Sequence, residues 1–172
     1  MPSPAKKLSL LGVFLALAMV FSYLEHLLPL PLPLPGFKLG LCNLIVLFVC
    51  YRIGLLEGAA LSLCRVLLTA LLFGSPTSFL FSLLGATLAY AAICATKCCL
   101  ARSVSYVGAS VLSASAFNLG QILAACLLYA DSAPLGYLPY LLFASAVLGA
   151  MTGWLTNLLE SRLMRSGAFK NL

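Results

Sequence analysis

Six apolar runs fill most of this 172-residue chain, and they constrain its fold more than any other feature. They extend over Leu8–Leu28, Leu39–Gly54, Leu55–Phe73, Thr77–Leu100, Val104–Tyr129 and Leu135–Met164. A helix needs about 20 mostly apolar residues to cross about 30 Å of hydrocarbon. Five runs meet that length; the second is short. The breaks between them are equally plain. Pro29, Pro31, Pro33, Pro35 and Gly36 cannot continue a helix and form a stiff extended connector. Gly74-Ser75-Pro76 and Asp131-Ser132-Ala133-Pro134 make two further breaks. The expected fold is all-α: one transmembrane domain over residues 1–172, with six transmembrane helices.

Composition removes the competing classes. Ten Lys or Arg and four Asp or Glu make 8% charged residues, against 63% in the apolar set. Soluble domains carry about 25% charge, so a soluble enzyme, a disordered chain and a secreted disulfide scaffold are all excluded. The formal charge of +6 comes with no basic run or aromatic platform, so no nucleic-acid partner is expected. Lys6 and Lys7 before an apolar stretch resemble a signal peptide, but no A-x-A-like site follows. The first run therefore reads as an uncleaved span.

Lys and Arg concentrate in cytoplasmic loops. With six spans, Lys6, Lys7, Arg52, Lys97, Arg102, Arg162, Arg165 and Lys170 fall on one side and only Lys38 on the other. Both termini are thus expected in the cytoplasm, and the Pro-rich connector faces outward.

Polar residues at membrane depth are costly and usually functional. Arg65 is near the middle of the third run, with Ser62 and Thr69 on its face. Two roles stay open for it: a clamp onto neighbouring helices, or contact with an anionic substrate group, which a guanidinium suits through its paired donors. Ser115, Asn118 and Gln121 share an arc of the fifth span, with Asn118 and Gln121 about 21–25 Å from its cytoplasmic start. Asn43 is expected near the outer end of the second span and Lys38 at the outer mouth. Lys38, Asn43, Asn118 and Gln121 then converge above Arg65 on a cavity open to the outside, unless they serve only as interhelical hydrogen bonds. Glu25 and His26 close the first span, at the cavity mouth or among headgroups.

Small residues let membrane helices approach closely. They recur in the fourth span at Ser78, Ser82, Gly85, Ala89, Ala92 and Thr96, and in the sixth at Ser145, Gly149, Thr152 and Thr156. The first span has two such pairs, Gly12 with Ala16 and Ala18 with Ser22; the Gly12/Ala16 pair is a candidate face for a partner subunit. The seven cysteines lie in or at the ends of apolar runs without a C-x-x-C and read as packing. A single His supports no ordinary metal site, and no nucleotide motif, cofactor motif or nucleophile elbow is present. Asp131 is the only Asp, so chemistry that gathers Mg²⁺ and diphosphate on Asp-rich motifs needs another chain.

The stretch Pro35-Gly36-Phe37-Lys38-Leu39-Gly40-Leu41-Cys42-Asn43 resembles the P-G-x-K-L-G-L-A-N signature of the Gx transporter family, also catalogued as heptaprenyl diphosphate synthase component I. Arg65-Val66-Leu67-Leu68 with Leu72-Phe73-Gly74, and Asn118-Leu119-Gly120-Gln121, resemble its other motifs, although the family usually has His where this chain has Phe117. That family is similar to the substrate-binding S components of energy-coupling-factor importers. The resemblance implies a multi-pass protein of the bacterial cytoplasmic membrane that captures a small molecule from outside, with no cofactor of its own. Its partners would be a coupling membrane subunit and ATPases. The catalogue name implies instead a noncatalytic membrane partner of a prenyl diphosphate synthase.

Overall fold

The computed structural model describes residues 4–27, 41–73, 75–99 and 104–165. Among these the chain is all-α: α1 (Pro4–Leu27), α2 (Asn43–Arg52), α3 (Leu55–Phe73), α4 (Pro76–Cys99), α5 (Tyr106–Tyr129) and α6 (Leu138–Arg165), with a short 3₁₀ turn at Ala133–Tyr137. Five stretches are long and apolar enough to cross a membrane: Ala5–Glu25, Leu55–Leu72, Pro76–Cys99, Tyr106–Tyr129 and Ala133–Arg162. Helix ends fall where local chemistry stops them. The Ser105 hydroxyl accepts the Gly108 amide at the start of α5. Ala130 closes that helix in the left-handed region, with φ 49°, and the Asp131 carboxylate accepts the Ala133 amide just beyond.

The second element is the short one, as the length of its run suggests. α2 has ten residues, or about 15 Å. Leu44 to Cys50 are all buried, so this helix is apolar on every side because it is enclosed on every side. At its Arg52 end, Tyr51 packs on Tyr106, the first residue of α5, with ring centroids 5.1 Å apart. At its other end, Asn43 donates to Ser113, about two turns further along α5. α2 thus begins inside the bundle, where a spanning helix would reach the surface.

Around it, α4, α5 and α6 pack closely through small residues. A Cβ on Gly120 would lie 2.5 Å from the Leu84 carbonyl oxygen of α4, and one on Gly149 would lie 2.7 Å from Val111 Cα of α5. Hydroxyl pairs tie the α5–α6 seam: Ser110 to Thr152 at 2.8 Å and Ser115 to Ser145 at 3.0 Å. The small residues of α4 and α6 therefore serve internal packing. α1 and α3 run parallel, linked by Lys7 with Glu57 and by Thr69 with Met19 (3.7 Å), both offset by fifty residues. Lys7, Arg52 and Lys97 gather at one end of the bundle: Lys7 pairs with Glu57, Arg52 with Glu160, and Lys97 donates to the Cys50 carbonyl at 2.5 Å.

Candidate functional site

At the start of α2 the Leu44 and Ile45 amides donate to the Leu41 and Cys42 carbonyls of the preceding turn, both at 3.2 Å, and the terminus carries a partial positive charge. Just before it, the Leu41 amide donates to Glu25 Oε1 of α1. Glu25 is buried, at 7% exposure. The Cys42 thiol donates toward Glu25 Oε2 at 3.6 Å and accepts from Ser22 at 3.6 Å. On the other side of the sulfur, Arg65 Nη1 donates to Cys42 Sγ at 3.0 Å.

Arg65 is 3% exposed in the middle of α3, and its Nε–H has no hydrogen-bond partner. Ser62 and Thr69 are buried on the same helix face. The result is a buried cation, carboxylate and thiol beside a half-buried helix N-terminus, drawn from α1, α3 and the start of α2. Ser22 and Cys42, read from sequence only as packing residues, join Glu25 in this cluster. The available signal was Ser22-x-x-Glu25, a polar pair one turn apart at the end of an otherwise apolar run.

The expected ligand residues divide into three groups. Asn43 is the first residue of α2 and is half-buried. Its amide donates to Ser113, whose hydroxyl donates in turn to the Ala89 carbonyl at 3.5 Å. Asn118 and Gln121 lie further along α5, both buried. Asn118 Nδ2 donates to the Leu141 carbonyl of α6 at 3.0 Å, but its Oδ1 has no partner. Gln121 is 1% exposed, and neither of its amide atoms has a partner. Among the described residues, no hydrogen bond joins Arg65 to Asn43, Asn118 or Gln121. Lys38 lies outside the described residues.

Phe117 is at the α4–α5 contact, where a Cβ on Gly85 would come within 2.9 Å of its ring. The two small pairs of α1 point in different directions. Ala18 and Ser22 are buried, whereas Gly12 and Ala16 are exposed. Gly12 lines a groove of about 310 Å³ between α1 and α3, beside Leu15, Ala60 and Cys64.

A family model described as heptaprenyl diphosphate synthase component I matches residues 14–159. No curated protein matches the chain, and no solved structure does.

Proposed function

The chain belongs to the heptaprenyl diphosphate synthase component I family, and from that premise we propose that it is a membrane-embedded binding protein that captures a small anionic or polar molecule. One observation carries this reading: a guanidinium buried to 3% exposure, with an unpartnered N–H, beside the N-terminus of a helix that starts inside the bundle. Burying a charge without full pairing is expensive, and packing alone gives no return for it. Half-helix N-termini at membrane depth are a recurrent way to hold anionic groups. Arg65 supplies charge and paired donors. The partial positive charge of the α2 N-terminus adds to it, and Glu25 fixes that terminus by accepting the Leu41 amide.

In this reading the Lys- and Arg-rich end faces the bacterial cytoplasm. The molecule is taken up from the opposite side. Separate ATPases and a coupling membrane subunit drive transport, with exposed Gly12 and Ala16 as the docking face. The family's description favours a second reading, a noncatalytic membrane partner of a prenyl diphosphate synthase, in which Arg65 holds a diphosphate. Asp131 is the only Asp, so catalysis then belongs to the other subunit.

The test is to extract the tagged protein from native membranes in mild detergent and identify co-purifying small molecules and proteins by mass spectrometry, in parallel with Arg65→Gln. A small anion recovered with the wild type and lost from Arg65→Gln supports capture; co-purifying ATPases support uptake. Equal recovery from both proteins contradicts the site, and an Asp-rich prenyl synthase carrying an isoprenoid diphosphate selects the second reading.

A further inference from the structure

Gln121 is the least explained polar residue among the described residues. Its side chain is 1% exposed, and both its donor and its acceptor are unpartnered. Leaving a buried polar group unsatisfied costs about 1–3 kcal/mol, so a residue serving only the fold would be better replaced by Leu. One turn earlier, Asn118 has the same defect on one atom: the Leu141 carbonyl fixes its Nδ2 and leaves Oδ1 without a donor. Ser113, Phe117 and Gln121 recur every four residues and so share a face of α5. Ser113 meets the start of α2 through Asn43. Gln121 is two turns beyond it, about 12 Å further along the same face.

The unmatched atoms define a complement. Asn118 Oδ1 and Gln121 Oε1 are two acceptors; Gln121 Nε2 is one NH₂ donor. A carboxylate would set its oxygens against those two acceptors. An ammonium can only donate and would leave the Gln121 NH₂ unmatched. A carboxamide offers two N–H donors and one carbonyl, which matches all three.

The geometry points to a second, uncharged subsite at Asn118 and Gln121 that takes a carboxamide, so that the captured molecule has an anionic group at one end and an amide at the other. This rests on the anion-binding reading of Arg65 and specifies the ligand class for the same site.

The test uses purified protein and three matched probes: octanoate, suberic acid monoamide and suberamide. They present respectively an acid alone, an acid with an amide, and amides alone. Binding is followed by the shift in thermal unfolding midpoint across a titration, with Arg65→Gln as the control for partitioning into detergent. The monoamide is expected to bind about tenfold more tightly than octanoate, which corresponds to about 1.4 kcal/mol. In Gln121→Leu the two should bind alike, while that variant's own midpoint stays at or above the wild type's. Gln121→Met serves as the second variant if Gln121→Leu does not fold.

Octanoate and the monoamide binding equally to the wild type overturns the amide subsite and leaves the Arg65 reading intact. Suberamide binding as well as the monoamide overturns the Arg65 reading and leaves the subsite. No probe shifting the wild type more than Arg65→Gln overturns both.

Discussion

The two halves of the bundle bury polar groups in opposite ways. Across α4, α5 and α6, small residues bring backbones together, and the hydroxyls of Ser110, Ser115, Ser145, Thr152 and Thr156 each find a partner. Around α1, α2 and α3, a guanidinium, a carboxylate and a thiol are buried at the start of a half-length helix, and Arg65 keeps an unused donor. One half is satisfied internally and holds the shape. The other retains hydrogen-bonding capacity that its own fold does not consume, which is where a binding function is expected. Asn118 and Gln121 belong by sequence to the packed half but behave like the second, since three of their four amide atoms are unmatched.

The contrast can be broken most severely at Gly120. In Gly120→Val the new side chain meets the Leu84 carbonyl and Gly85 of α4. Destabilisation of about 3 kcal/mol is expected, read as a large fall in unfolding midpoint or loss of folded protein in detergent. Arg65→Gln is the complementary change. It should weaken binding of an anionic ligand roughly 10–100-fold, as for loss of a charge-assisted hydrogen bond, while the unfolding midpoint moves little. Cutting one hydroxyl tie is milder: Ser110→Ala should cost about 0.6 kcal/mol, the usual worth of an interhelical hydrogen bond in a membrane, and leave binding unchanged. The smallest effect belongs to Gly12→Ala. Nothing lies within 4 Å of the new Cβ, so stability should change by less than about 0.5 kcal/mol. A large loss there would show that α1 is packed on that side.

Much of this fold is written in where apolar runs stop. Five of the spans, the internal role of the α4 and α6 small residues and the isolation of Arg65 all follow from period and composition. The shortness of α2 is legible too, but its enclosure is not: a helix enclosed by protein and a helix facing lipid use the same apolar residues, and among the described residues of Leu39–Gly54 only Asn43–Arg52 is helical. Glu25 is visible in the sequence, but its role is not: at the end of an apolar run an acid resembles a headgroup contact, and its partner here is a backbone amide without a side-chain signature. Gly12/Ala16 and Ala18/Ser22 are the same small pattern on two different faces of one helix. Only the neighbouring helices decide which pair is buried.

The most direct test of the central claim uses a thiol already in place. Cys42 Sγ accepts from Arg65 at the start of α2, so a reagent that reaches it puts its own charge beside the guanidinium. The rate of Cys42 modification, read by peptide mass spectrometry, can be compared for a sulfonate-bearing and a trimethylammonium-bearing methanethiosulfonate of similar size. An anion seat predicts faster modification by the sulfonate reagent, with the preference lost in Arg65→Gln. Equal rates, a preference for the cationic reagent, or no modification of Cys42 by either would contradict an accessible anion-binding site at Arg65.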